Sequence, residues 1–243
     1  MSIHQTNTQR NILLIVLSYI VAKREAKNSK IRSFQAFPYG LLSLATYLKN
    51  HAEKKVNIKI MDCNLYDYEE YMEIIRQTLL NYKPDVVGLS MMFDNSYKHL
   101  KYITRIIKEN NKETIVVLGG AATSSSNDII LNEQDDIDAI CYLEGEIPFV
   151  RLINADDMLD FLENDMSWIT KKSLKDTKIP RPLFIENLDE VIHIDYTFAE
   201  IEKYKMKEAF SPFINDSSEN KRQFFLVTSR GCPYKCVFCS NAS

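Results

Sequence analysis

Cys232, Cys236 and Cys239 stand close together in the run Cys232-Pro233-Tyr234-Lys235-Cys236-Val237-Phe238-Cys239, near the end of a 243-residue chain. A C-x3-C-x2-C spacing puts three thiolates on one short loop, and three thiolates can hold three irons of a 4Fe–4S cluster. Such clusters usually take four cysteines, so the remaining iron is left open to a substrate or cofactor. Two other chemistries compete for these residues. A pair of the cysteines could close a disulfide, although cysteine-bearing loops stay reduced in the cytosol. A zinc site needs a fourth ligand, and only Cys63, Cys141 and four scattered histidines remain to supply it. Neither Cys63 nor Cys141 has a Cys or His neighbour at ligand spacing. The cluster is the reading carried forward, with zinc and chance spacing as its alternatives.

Such a loop must be delivered by regular elements. A strand over residues 223–229 would bring it to the carboxyl end of a barrel strand, where barrel enzymes place their active sites. Upstream, short apolar runs at 12–17, 56–61, 85–90, 114–118 and 138–142 read as strands separated by helical patterns. Pro38 can open a helix, where its missing N–H costs nothing, with Leu41, Leu44, Ala45 and Leu48 on the apolar face. Asp67 and Glu70 form a capping-box variant ahead of Met72, Ile75 and Leu79. Tyr97, Leu100, Ile103 and Ile107 line a third helix, which Asn110 and Asn111 would stop. This alternation implies right-handed crossovers and a parallel sheet, and the almost wholly apolar strands imply a sheet covered on both faces. The expected fold is α/β: a flavodoxin-like Rossmann domain with a five-stranded parallel sheet.

In such sheets ligands bind outside the carboxyl ends of the strands, near the topological switch point. Those ends carry Ser90-Met91-Met92 and Gly119-Gly120-Ala121. Adjacent glycines allow a ligand close to the backbone; a plain tight turn is the other reading. No G-x-G-x-x-G run follows a strand, so dinucleotide binding has no support.

A formal net charge of −3 gives no electrostatic case for nucleic acid or an anionic membrane. An odd count of five cysteines argues against a secreted disulfide framework. The apolar run 12–22 is too short to span a bilayer, lacks a signal cleavage site, and reads as a buried strand. With an oxygen-sensitive cluster, the expected location is the cytoplasm. The basic loop 18–37 reads either as a cover for a phosphate or acidic substrate or as a solvated charge run.

The run Ser229-Arg230-Gly231-Cys232 through Cys239-Ser240 resembles the opening of a radical S-adenosylmethionine (SAM) enzyme. The resemblance implies that Cys232, Cys236 and Cys239 ligate three irons of a 4Fe–4S cluster while SAM binds the fourth. It implies that Phe238 lies near the SAM adenine, that an electron donor reduces the cluster, and that a 5′-deoxyadenosyl radical results. The radical chemistry then belongs to the cofactors, and no side chain is assigned as catalytic. Phe37-Pro38-Tyr39-Gly40-Leu41, Pro84-Asp85-Val86-Val87-Gly88-Leu89-Ser90, Val116-Val117-Leu118-Gly119-Gly120 and Glu144-Gly145-Glu146 together resemble the cobalamin-binding domain that precedes the barrel in one branch of these enzymes. That resemblance implies that Ser90, Gly119 and Gly120 lie along the cobalamin nucleotide tail. The Asp-x-His-x-x-Gly motif that supplies a cobalt-ligating histidine in many cobalamin domains is not found. His51 and His99 read as structural or surface groups, so cobalamin is expected without a protein histidine on cobalt.

The expected organisation is a cobalamin-binding-like domain over 1–153, a linker over 154–221, and the first strand and cluster loop of a radical SAM barrel over 222–243. A short acidic helix over 156–164 and a basic polar stretch over 171–178 fall within the linker, which Pro180 and Pro182 punctuate. The function expected is that of the amino-terminal part of a cobalamin-dependent radical SAM methyltransferase acting on unactivated carbon, inactive as an isolated chain. The alternative is a non-catalytic corrinoid-binding module or gene remnant.

Overall fold

The computed structural model describes residues 9–19, 37–191, 193–204, 227, 229–232, 234, 236 and 237. Most of the strand expected over 223–229 and most of the basic loop 18–37 lie outside these residues.

Five strands fall where the apolar runs place them: β1 Arg10–Val16, β2 Val56–Asp62, β3 Val86–Ser90, β4 Ile115–Gly119 and β5 Ala139–Cys141. They form one sheet in the order β2-β1-β3-β4-β5, all parallel. β1 pairs with both β2 and β3, so the strand order reverses there and opens a crevice at the carboxyl ends.

The helices are α1 Tyr39–His51, α2 Tyr68–Tyr82, α3 Tyr97–Asn110, α4 Asn127–Glu133, α5 Glu146–Asn154, α6 Met158–Asn164 and α7 Lys171–Lys175. Alternate side chains of β1 feed two cores. Leu13, Ile15 and Leu17 pack with Ile75 and Leu79 of α2 and Leu100 and Ile103 of α3. Ile12, Leu14 and Val16 pack with Leu41, Ala45 and Leu48 of α1 and with Phe149 and Leu152 of α5. Each central strand is therefore buried on both faces, which is why these strands read as continuous apolar runs. β2 alternates instead, with Asn57 and Lys59 exposed, because it lies at the edge. Asp67 occupies the N-cap position of α2 without a side-chain cap hydrogen bond, so the expected capping box is not formed.

The sheet corrects the sequence reading in one respect. Among the described residues it has six strands, not five: β6, Trp168–Ile169, pairs antiparallel with β5 through Ile140↔Ile169 and Cys141↔Trp168. α6, capped by Asp157, and α7, closed by a reciprocal Thr170–Ser173 capping box, flank it. The compact unit thus continues beyond Ile153 into the region read as linker. A two-residue strand has no measurable alternation, which is why periodicity missed it.

Candidate functional site at the carboxyl edge of the sheet

Ser90 and Gly119 end adjacent strands and are register partners. The Leu17 amide donates to the Ser90 carbonyl at 3.1 Å, and the Met91 amide donates to the Gly119 carbonyl at 2.8 Å. Three strand ends are thereby fixed in one row. The two glycines differ physically. Gly120 has φ +111°, and a Cβ there would stand 2.5 Å from the Met91 carbonyl oxygen. Its glycine is demanded by the protein's own backbone crossing itself. Gly119 has ordinary backbone, and an added Cβ would meet only the Cys141 Cβ, at 3.9 Å. Among the described residues nothing requires Gly119 to be bare, and it leaves room at the strand end. Exposed Met92 and Phe93 follow β3, and Phe93 meets Tyr19 edge-on at 5.0 Å, giving the crevice an apolar lip. The hydroxyl of the fully buried Ser96, in the turn entering α3, has no hydrogen-bond partner among the described residues. The row of strand ends and the bare Gly119 fit an extended ligand tail laid against backbone.

A second cluster lies where α1 and α5 begin. Glu146, the first residue of α5, is buried, and its Oε1 accepts from the buried Ser43 hydroxyl of α1 at 2.8 Å. The same oxygen accepts from the Arg230 guanidinium at 2.7 Å; a second guanidinium nitrogen donates to Glu144 Oε2 at 3.1 Å. Arg230 also donates to the Ser43 hydroxyl at 3.0 Å. Burial opposes the guanidinium charge, but Glu146 and Glu144 more than offset it and hold Arg230 above its ordinary pKa. Gly231 follows with φ +75° and open space around its missing Cβ, and Cys232 and Cys236 are exposed. A shallow groove lined by Lys59, Gln77 and Asn81 lies instead along α2 towards its carboxyl end, away from this edge.

Comparison with known proteins decides the family. Residues 32–153, about half of the chain, match the B12 binding domain. The chain belongs to the B12-binding domain family. It is 29% identical over 208 residues to an uncharacterised methyltransferase of Pyrococcus horikoshii, an alignment covering 84% of this chain and 40% of that protein. It is 30% identical over 207 residues to the anaerobic magnesium-protoporphyrin IX monomethyl ester cyclase of Rubrivivax gelatinosus, covering 84% of this chain and 34% of the cyclase. The chain therefore spans well under half the length of either relative. The cobalamin-binding domain expected from the sequence is the one found.

Within the B12-binding domain, Ser90, Gly119 and Gly120 lie together at the carboxyl edge of the sheet. Of the cluster residues, Cys232 and Cys236 are exposed thiols, while Cys239 and Phe238 lie outside the described residues. Among the described residues, no group of three metal-binding side chains assembles. Cys63 and Cys141 are closed off as partners for a metal at Cys232: both are buried, and burial pushes both thiols well above the usual range. His51 lies at the far end of α1, stacked on Tyr47, with its Nδ1 at the Tyr47 carbonyl. His99 begins α3 with Nδ1 against the Tyr71 hydroxyl; burial lowers its pKa. Sequence reasoning named the Glu144-Gly145-Glu146 block but gave it no role, and it did not single out Ser43 or Arg230. A carboxylate opening a helix next to a Gly turn was the available signal. No helix among the described residues is long and apolar enough to cross a membrane.

Proposed function

We propose that this chain is the corrinoid-binding part of a radical SAM enzyme, with Cys232, Cys236 and Cys239 holding a 4Fe–4S cluster whose open iron takes SAM. The observation that carries the reading is spatial. Arg230, two residues ahead of Cys232, is tied to the carboxyl edge of a sheet that belongs to the B12-binding family. Methyl transfer to an unactivated carbon is the favoured reaction, supported by the methyltransferase relative; the cyclase relative favours ring formation as the second reading.

When bound, the cluster with SAM supplies radical chemistry and the corrinoid supplies a transferable methyl group. The chain's own residues bind and orient. Ser90 and the bare backbone at Gly119 and Gly120 receive the nucleotide tail. Met92 and Phe93 give an apolar surface that keeps water from it. The exposed cysteine thiols are soft donors suited to iron, and Phe238 supplies an aromatic face for adenine. An external electron donor completes the set.

Anaerobic iron–sulfide reconstitution with SAM and hydroxocobalamin tests the reading. About four irons per chain should be incorporated, and cobalamin should stay with the protein through desalting. Iron uptake that survives replacement of all three cysteines by alanine would defeat the cluster assignment. Cobalamin that washes away would defeat the corrinoid assignment.

A further inference from the structure

Arg230 is separated from its partners by 84 residues of sequence at Glu146 and 187 at Ser43. The contact joins the segment that bears the cysteines to the two helices that open at the carboxyl edge. Isolated surface ion pairs contribute little, but this one is of a different kind. Glu146 has only 8% of its side chain exposed, Arg230 only 21%, and the guanidinium meets three oxygen acceptors at once. Among the described residues Arg230 is the cation paired with Glu146. A buried carboxylate deprived of its cation carries an uncompensated desolvation cost, so the domain presents a socket that favours occupation. The fork geometry also suits arginine better than lysine, whose ammonium is a point charge.

We infer that Arg230 is a positioning residue: it plugs into the Ser43–Glu144–Glu146 socket and so seats the cysteine loop beside the carboxyl edge of the sheet. Gly231 is the hinge of this device. Its left-handed backbone turns the chain between an anchored residue and an exposed ligand, Cys232, one position further on. The socket itself stands on geometry alone. Its purpose, holding the cluster at a fixed distance from the corrinoid, rests on the function proposed above.

The arginine is also a protease site, which gives a direct readout on the full chain without any cofactor. Trypsin must take the Arg230 side chain out of the socket to cut the Arg230–Gly231 bond. Cleavage there should be slow in the native protein and at least tenfold faster in Glu146→Gln, with cutting after Lys175 unchanged. Glu144→Gln, at a more exposed carboxylate, should give a smaller increase and guards against a variant that simply misfolds. Arg230→Lys should dock partially and be cut at an intermediate rate. Equal cleavage at residue 230 in all four proteins would overturn the socket. After reconstitution, the magnetic interaction between reduced cluster and cob(II)alamin should weaken in Glu146→Gln while iron and cobalamin contents stay the same. An unchanged interaction would overturn the positioning role. A wild-type protein that takes up neither cofactor would defeat the proposed function and leave the protease result to decide the socket.

Discussion

Two neighbouring glycines separate what the protein needs from what a ligand needs. Gly120 meets Met91 backbone at 2.5 Å from a notional Cβ and has positive φ. Gly120→Ala should therefore lose on the order of 2–3 kcal/mol of stability, read by urea denaturation. Gly119→Ala should stay within about 0.5 kcal/mol of wild type while cobalamin affinity falls several-fold in a visible-absorbance titration. Unchanged affinity would remove Gly119 from the tail site. A third residue bears on pH. Asp62 is buried and, despite accepting from the Asn64 amide and from the Tyr204 hydroxyl at 2.9 Å, burial raises its pKa. Its folded-state pKa lies above the unfolded one, so the native state holds the proton more tightly. The associated stability is complete below about pH 3.9 and is lost as pH rises through the raised value. Asp62→Asn keeps an acceptor for the Asn64 amide and removes the titration. The variant should show a flatter stability profile from pH 4 to 7 and gain on wild type towards neutrality. An identical slope would place the titration elsewhere.

Among the elements, β6 makes the sharpest claim. Trp168, the chain's single tryptophan, is 2% exposed, pairs with Cys141 and packs against Phe149 at a ring distance of 6.3 Å. Trp168→Ala should cost about 3–5 kcal/mol. In the native protein, tryptophan emission and far-UV circular dichroism should report one coincident urea transition. Emission changing well before the dichroism would make β6 a separately melting appendage. Four of the five parallel strands were legible because each is buried on both faces, β2 was legible from its edge-strand alternation, and Pro38 and Asn111 bound their helices as their backbone chemistry dictates. β6 was illegible because two residues carry no period, and its pairing depends on β5, nearly thirty residues earlier. The same limit governed the site. Ser90 and Gly119 could be found from their places at strand ends. The Arg230 socket could not, since three of its four residues come from separate elements and only the folded chain brings them together.

For the molecule as a whole, the chain beyond β6 returns over the domain. Lys49 pairs with Asp195 at 2.8 Å, the Asp195 amide donates to Thr46, and Phe37 meets Tyr204 edge-on at 5.0 Å. Tyr204 closes on Asp62 at the end of β2, and Arg230 closes on Glu146. Both late segments thus come back to the same end of the sheet, the end where its strand order reverses. The two borders of that sheet are treated differently from its centre. At one, β2 shows Asn57 and Lys59 to solvent, and the Tyr82 hydroxyl donates to the Asn57 carbonyl at 2.6 Å. At the other, β6 is only two residues long and runs against the direction of its neighbours. An outermost strand that is charged, or too short to template another, resists pairing with a second copy. Neither border of the sheet therefore offers a template for edge-to-edge pairing, and the protection is built from the chain's own strands rather than from anything bound at the carboxyl edge.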